Sequence, residues 1–201
     1  MKTAFITTVA ALSLILASAS ASITEQGGGI VYGQDYAYHL KAPKGWMLDN
    51  ESGASQGVYA VFYPKGSSWQ HSVVVAYASS RPRTQDIVTA DDAAKFVVED
   101  FHAKGSPKYE GQRVKTIKMK TGGEAVIYHF TGDRWGNSEA VAYFVEAKTI
   151  NFIVFTSRQR KAFEEALPAF DELAASYMFM GDAPLKGSEP KATPAKNKAA
   201  K

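Results

Sequence analysis

Cysteine is absent from all 201 residues of the chain. The absence excludes disulfide bonds as a source of stability. It also excludes a bacterial lipoprotein anchor, because that lipid is attached to a cysteine. A chain of this size can instead be held together by its core. With 45% hydrophobic and 12% aromatic residues, the composition provides enough apolar surface for one.

Sequence motifs for catalysis are also missing. No G-x-S-x-G element is present, and Ser67 follows Gly66 in a predicted hairpin loop rather than in a strand-to-helix turn. The acidic pairs at residues 91–92 and 164–165 lie on predicted helices beside basic residues, where they cap or solvate a helix. No glycine-rich loop precedes a helix, as phosphate binding would require. We therefore expect a non-enzymatic protein with no catalytic residue and no cofactor.

Histidine is scarce, and its positions do not have the spacing of a metal site. No two histidines are four residues apart on a predicted helix or alternate on a predicted strand. His129 alternates with apolar residues, which favours a half-buried structural role, whereas His102 falls on the polar face of a predicted helix. A metal site assembled from different strands stays open. The four residues are His39, His71, His102 and His129.

A long hydrophobic run is lacking as well. Residues 5–16 are mostly apolar, but they are fewer than the ~20 apolar residues that cross a bilayer. A basic residue precedes them and a small-residue stretch follows, which is the organisation of an export signal. We expect residues 1–21 to be a signal peptide, cleaved after Ala21 or, as second choice, after Ala19. The mature chain would be periplasmic or secreted, with no transmembrane span, and the lack of cysteine favours a bacterial periplasm.

Positive charge is concentrated at one end of the chain. The net charge is +3, and residues 182–201 alone contain five lysines against Asp182 and Glu189. The remainder is close to neutral, which argues against a nucleic-acid-binding domain. Residues 181–201 are rich in lysine, proline and alanine and are predicted to be a disordered tail. Two roles stay open for this tail: weak attraction to an anionic envelope surface, or solubility alone.

Between these ends, the hydrophobic pattern predicts a single domain over residues 35–180, after a flexible lead-in over residues 22–34. Thr89 is predicted to cap the first of two helices, and Gly105 to end it. The order is strands, helix, four-strand meander, helix, which is typical of an antiparallel sheet flanked by helices, an α+β fold. Lysines in the first meander strand indicate a sheet edge. The predicted strands are residues 36–40, 58–63, 72–77, 115–121, 124–131, 140–146 and 150–156.

The second predicted helix carries an apolar stripe that includes Phe163, Phe170 and Leu173 and continues to Tyr177. Pro168 falls inside this stripe. Because proline removes a backbone hydrogen bond and crowds the preceding turn, it is predicted to kink the helix or to split it in two. The stripe keeps its phase across the proline, so both halves should pack on one surface.

Three segments together resemble the PsbP-like family, which also takes in DcrB-type bacterial periplasmic proteins and Mog-type Ran-binding proteins. They are the strand that runs into the P-K-G-W stretch at residues 43–46, the strands at 58–63 and 72–77, and residues 152–156 with the last helix. The resemblance covers most of residues 30–180. It implies an α/β/α sandwich around an antiparallel sheet. It also implies a role as an assembly factor or binding module.

Two tryptophans lie in predicted loops, where exposed aromatic residues often mark a binding surface. Trp69 lies in the loop 66–71, and Trp135 follows Arg134 in the loop 131–137. Trp69, Arg134 and Trp135 are the candidate partner-binding residues. The alternative is that each tryptophan folds back over the end of its own sheet. Trp46, beside a strand end, is expected to be buried.

These features predict an exported, non-enzymatic binding or assembly module of the bacterial envelope. Its expected partner is an envelope protein or an anionic envelope surface. The alternative is a periplasmic protein that binds a small ligand or a metal in a pocket between sheet and helix.

Overall fold

The computed structural model describes residues 23–25, 27–119 and 121–181. The predicted signal peptide and residues 182–201 lie outside the described residues. The described chain contains eleven strands, two α-helices and one short 3-10 helix, Ala54–Gln56. The strands are β1 (Ile23–Glu25), β2 (Gly28–Gly33), β3 (Tyr36–Lys41), β4 (Trp46–Asp49), β5 (Val61–Pro64), β6 (Val74–Pro82), β7 (Glu110–Lys118), β8 (Glu124–Thr131), β9 (Ser138–Val145), β10 (Thr149–Ser157) and β11 (Met178–Gly181), and the helices are α1 (Ala90–Ala103) and α2 (Arg160–Ala175).

The strands form two antiparallel sheets. A large sheet has the strand order β1-β4-β5-β6-β10-β9-β8-β7, and a small sheet has the order β11-β3-β2. The β5–β6 hairpin and the meander from β7 to β10 pair as predicted. Strand β7 lies at an edge of the large sheet, as its lysines indicated. The α+β class is therefore confirmed.

The inner strands β8, β9 and β10 of the large sheet bury side chains on both faces, since successive side chains of a strand point to opposite sides. On β9, Ala142 and Phe144 belong to the core cluster that contains α2, whereas Val141 and Tyr143 belong to the cluster that contains α1. The small sheet packs on the α2 side, for example through Tyr38. The predicted sandwich is thus found only in part, since a second sheet shares one face with α2.

Helix α1 begins at the predicted cap. The Thr89 side chain accepts a hydrogen bond from the Asp92 backbone N–H at 3.1 Å, and the Asp92 carboxylate accepts the Thr89 backbone N–H at 2.9 Å. This reciprocal pair is a capping box. After the helix, Gly105 has φ of +91°, a left-handed conformation that favours glycine. Both signals are local in the sequence, so the helix could be predicted from them.

The predicted flexible lead-in, residues 22–34, contains two strands instead. Strand β1 pairs with β4, and β2 pairs with β3. The glycines of β2 permit close packing, because a Cβ on Gly29 would collide with Leu48, and one on Gly28 with the His39 ring. Glycine here serves close approach rather than flexibility. Strands β4 and β11 are further elements that the sequence pattern did not predict.

Helix α2 continues through Pro168 as one segment, so the predicted split does not occur. Pro168 faces solvent. The apolar stripe is confirmed, since Phe163, Phe170 and Leu173 are all buried in the core cluster of this face. Tyr177 is buried too, but it lies just beyond the end of the helix rather than on its stripe.

Candidate binding site at the loop end of the large sheet

Both tryptophan loops leave the same end of the large sheet. The register pairs Val74, the first residue of β6, with Ser157, and it pairs Ser157 with Ser138, the first residue of β9. The loop 65–73 leads into Val74, and the loop 132–137 leads into Ser138. This juxtaposition depends on the strand order. We call the surface formed by these two loops the loop end.

Trp69 and Trp135 also lie on the same face of the sheet, the one that carries α1. The Trp69 ring centre is 6.2 Å from that of Tyr77 on β6, and the Trp135 ring centre is 6.4 Å from that of Phe101 on α1. Trp69 is half-buried, which agrees with the fold-back alternative. Trp135 keeps 48% of its surface exposed. Of the two, Trp135 is therefore the one available to a partner as it stands.

The loop that presents Trp135 is held by Asp133. One carboxylate oxygen of Asp133 accepts the backbone N–H groups of Trp135 at 3.1 Å and of Asn137 at 2.8 Å, and the other accepts the Asn137 side-chain amide at 2.6 Å. Gly132 and Gly136 have φ of +86° and +77°, which other residues rarely adopt. Trp135 is therefore displayed from a defined turn.

Arg134 stacks on Trp135 and ties this loop to the segment after α1. The guanidinium carbon lies 4.3 Å from the centre of a Trp135 ring, within cation–π range. The Arg134 backbone N–H donates to the Ser106 hydroxyl at 3.1 Å, and a guanidinium N–H donates to the Lys104 carbonyl oxygen at 3.4 Å. The Arg134 side chain stays exposed. The stacked pair therefore forms one projecting aromatic and cationic unit.

A cavity of about 160 Å³ lies between α1 and the large sheet. Its wall includes Tyr77 and Phe101, and each of these two residues contacts one of the loop tryptophans. The cavity is partly open to solvent, and most of its wall is aromatic or aliphatic. The rings in the wall are those of Tyr77, Phe101, Tyr109, Tyr143 and Phe152.

The carboxyl group of Glu139, on β9, also lines this cavity. It accepts a hydrogen bond from the Tyr109 hydroxyl at 2.5 Å. Burial raises the pKa of Glu139, the charge of Asp133 adds to the effect, and the hydrogen bond from Tyr109 opposes it. Burial also raises the pKa of Tyr109, as does the neighbouring Glu139 charge. The tyrosine therefore stays neutral and acts as the donor of this pair.

The histidines do not assemble a metal site. Within residues 23–25, 27–119 and 121–181, no three His, Asp or Glu side chains lie close enough to hold an ion. His129 is half-buried, and its ring centre lies 5.6 Å from that of Phe163. Burial lowers the pKa of His129, and the charge of Lys115 lowers it further. This agrees with a structural role. His102 is more than a solvated side chain, because its Nε2 lies 2.7 Å from the Tyr109 carbonyl oxygen.

Sequence reasoning missed the cavity residues Phe101, Tyr109 and Glu139 as candidates for function. One signal was present in the sequence. Glu139 has the same alternation phase as Val141 and Tyr143, which are buried on the α1 face. A carboxylate in phase with buried residues indicates a polar group turned towards the interior.

A second groove, of about 520 Å³, lies beside the small sheet. Its wall includes Tyr32, which is 49% exposed, Tyr59, which is 65% exposed, and Ile30. No sequence pattern predicted this groove. Its residues are uncharged, and it lies apart from the loop end, so it provides control positions for experiments on the loop tryptophans.

The described fold is similar to the solution structure of cyanobacterial PsbP (CyanoP) from Synechocystis sp. PCC 6803. The TM-score is 0.50, the sequences are 13% identical, and the likeness covers 82% of this chain and 99% of that one. The chain has a PsbP-like fold. At this sequence identity, the similarity indicates a shared fold and says nothing about function. No protein-family model and no curated protein sequence matches the chain.

Neither of the two helices in the described part of the chain has the length and apolar character needed to cross a membrane.

Proposed function

We propose that this protein is an exported, non-enzymatic binding or assembly module of the bacterial envelope, and that its partner is a protein that contacts the loop end. The PsbP-like fold supports this role by analogy, because the sequence resembles a family that includes DcrB-type periplasmic proteins and consists mostly of assembly factors and binding modules. The pattern of residues 1–21 supports export to the periplasm.

The observation that carries the proposal is the joint placement of Trp69, Arg134 and Trp135. They come from two loops, yet each tryptophan contacts a residue in the wall of one aromatic cavity. Tryptophan and arginine are enriched among interface hot spots, which cluster in and around well-packed pockets. A partner that packs on Trp135 and inserts one side chain into the adjacent cavity would use both features.

Site-specific photocrosslinking in cells tests where the partner docks. A photoreactive phenylalanine analogue at Gln70, an exposed position next to Trp69, should give a discrete crosslinked protein. The same analogue at Tyr59, in the second groove, is the matched control and should not capture that protein. Arg134→Ala combined with Trp135→Ala should reduce the crosslink from position 70 at least tenfold. A partner captured from position 59 and not from position 70 would sink the proposal.

Export can be tested independently. Cell fractionation should place the protein in the periplasm, and mass spectrometry of that fraction should give a mature start at Ser22, or at Ser20 for the second cleavage choice. Mature protein that still begins at Met1 would show that residues 1–21 are not a cleaved signal.

A small-ligand-binding protein is the alternative, and the cavity is the observation that favours it. Ligand sites for whole metabolites are roughly 300–1,000 Å³. The cavity beneath α1 measures about 160 Å³, which is large enough for one head group or side chain. The metal-binding form of this alternative gains no ligand cluster from the described residues.

A further inference from the structure

We propose that the cavity beneath α1 binds a substituted ammonium group, such as a quaternary amine or the side chain of a lysine. The inference deepens the proposed function, because it names the chemistry that the cavity next to the loop end would recognise. Only one part of it rests on the proposed function, namely that a partner protein would carry the ammonium group.

The aromatic wall is the first argument. Ring faces are negative and attract cations, and enclosures of several rings are a known solution for binding quaternary ammonium groups. Here the rings support one another: Tyr109 stacks on Phe101 with the ring centres 4.0 Å apart, and the centre of Tyr143 lies 6.2 Å from that of Phe152. Because the stack covers the faces that Tyr109 and Phe101 share, the rings that offer a face to a cation are those of Tyr77, Tyr143 and Phe152. The enclosure is therefore formed by side chains that are already packed, so little ordering is needed when a ligand enters.

Charge complementarity is the second argument. Glu139 places a carboxylate in the wall, and its position is set by the Tyr109 hydroxyl. Among the described residues, the ion pairs found do not include Glu139. A partly buried carboxylate without a cation is unfavourable, and its pKa is raised accordingly. A bound ammonium group would supply the missing positive charge.

Arg81 is the other charged residue of the wall, and its guanidinium stacks on Phe96. Its guanidinium carbon lies 4.0 Å from the centre of the Phe96 ring. Phe96 is 42% exposed on α1 and lines a different groove from the one that contains Glu139. The register pairs Arg81 with Ile150 and Glu139 with Thr156, six residues apart along β10, so the two charged residues of the wall lie at opposite ends of the cavity. The Glu139 end is the one that suits a ligand cation.

Size is the third argument. An engineered protein cavity of roughly 150 Å³ accepts benzene. The cavity of about 160 Å³ therefore accommodates a group such as trimethylammonium but not a whole metabolite. Because the cavity is partly open, the chain that carries the ammonium group can leave towards solvent. A compact cationic head on a longer molecule is the ligand that fits these limits.

Choline chloride is the probe, and 3,3-dimethylbutan-1-ol is its uncharged counterpart of nearly the same shape. Titration of the full chain, followed by NMR, should shift the choline N-methyl protons upfield, since they would lie over ring faces. The affinity for choline should exceed that for the alcohol at least tenfold. Equal affinities would mean that the cavity selects apolar shape alone, and the proposal would be wrong.

Glu139→Gln tests the carboxylate, because it keeps the shape and an acceptor for Tyr109. It should weaken choline binding at least tenfold and change binding of the alcohol less than twofold. Glu99→Gln, on α1 outside this cavity, is the matched control and should change neither. If Glu139→Gln does not fold, Tyr77→Leu removes one ring of the wall and should weaken choline binding at least fivefold. Unchanged choline binding in a folded variant would overturn the proposal.

One further probe, compared with choline, separates the sources of the cation. Nα-acetyl-lysine methylamide represents a lysine of a partner protein, and choline represents a free quaternary amine. Tighter binding of the lysine derivative would indicate a protein source, and tighter binding of choline would indicate a small amine. In both cases Glu139→Gln should weaken the binding. If neither cation binds, the ammonium proposal fails, whereas the crosslink from position 70 would still report separately on the protein partner.

Discussion

Asp49 is a buried carboxylate that stays charged because hydrogen bonds compensate for its burial. It is 1% exposed. One oxygen accepts the backbone N–H groups of Glu51 at 2.8 Å and Ser52 at 3.0 Å, and the other accepts the hydroxyls of Ser52 at 2.5 Å and Tyr63 at 2.9 Å. Burial alone would raise the pKa of Asp49, but these hydrogen bonds outweigh it and lower the pKa. The residue thereby ties the end of β4 to β5.

Asp49→Asn should lower the free energy of unfolding by ~1–3 kcal/mol, because an amide cannot accept at both of its ends. A lowered folded-state pKa adds stability above the unfolded-state value of about 3.9, and this stability is lost as pH falls through the folded-state pKa. The wild type should therefore lose more stability than Asp49→Asn when denaturant unfolding is compared at about pH 6 and about pH 3. Asp86→Asn, at an exposed position, is the control. Equal acid sensitivity of the wild type and Asp49→Asn would contradict the assignment.

Gly132 is required by space as well as by backbone conformation. Its φ is +86°, and a Cβ there would collide with the Lys108 carbonyl oxygen. Gly136, in the same loop, has φ of +77° but open space around it. Gly132→Ala should cost ~3 kcal/mol or more, and Gly136→Ala only the ~1–2 kcal/mol of a left-handed residue. Thermal melts of the two variants decide the matter, and equal losses would show that the close approach is unimportant.

Among the helices and strands, α2 is the element whose packing is most directly testable. Phe170 is 1% exposed, and its ring centre lies 5.3 Å from that of Phe155 on β10. Phe170→Ala should cost ~3–5 kcal/mol, a large part of the ~5–15 kcal/mol that holds a typical domain. Phe96→Ala, on α1 and 42% exposed, should cost about 1 kcal/mol or less. If Phe170→Ala had the same melting temperature as the wild type, the apolar stripe of α2 would not face the core.

Strand β7 shows why edge elements are hard to delimit from sequence. It begins at Glu110 rather than at Lys115, and nearly all of its residues are exposed, so no apolar alternation marks its start. A bulge lies between Arg113 and Lys115. As a result, Arg113 reaches Asp91 of α1, and Lys115 reaches Asp171 of α2 on the opposite face. The strand is held by neighbours on both faces, and none of them is near it in the sequence.

Elements with local signals were predictable, and those that depend on distant partners were not. Helix α1 has its own cap and β8 its own alternation, so both were located from the sequence. Strands β2 and β11 flank β3, and β11 pairs with it from the other end of the chain. Their apolar runs, residues 30–32 and 178–180, are only three residues long, which is too short to mark either segment as a strand. Their order arises from pairing, which the local sequence does not encode.

For the whole molecule, strand order decides what the candidate site contains. The loops of Trp69 and Trp135 were predictable from composition. They share one end of the large sheet only because β6, β10 and β9 are neighbours in it, and α1 and two strands separate β6 from β9 in the chain. Glu139 enters the site for the same reason. With 13% identity to a PsbP of the same fold, such side chains can differ while the sheet stays the same.

The lysine-rich end of the chain is a candidate for attraction to anionic surfaces. Residues 182–201 contain five lysines and lie outside the described residues. Each lysine near an anionic membrane contributes about 1 kcal/mol of attraction. Of the two roles left open for the tail, attraction to an anionic surface predicts that the chain without residues 1–21 binds vesicles that contain phosphatidylglycerol at low salt. Binding should fall steeply towards physiological salt, where the screening length is about 8 Å.

A chain that ends at Gly181, the last residue of β11, separates the tail from the folded domain. It should lose vesicle binding and keep the melting temperature of the full chain, because no described strand or helix is removed. Vesicle sedimentation at two salt concentrations, with thermal melts of both chains, provides the measurement. If the shortened chain binds equally well, the contact lies on the folded domain. The exposed ring of Trp135 would then be the first residue to replace, because tryptophan favours the membrane interface.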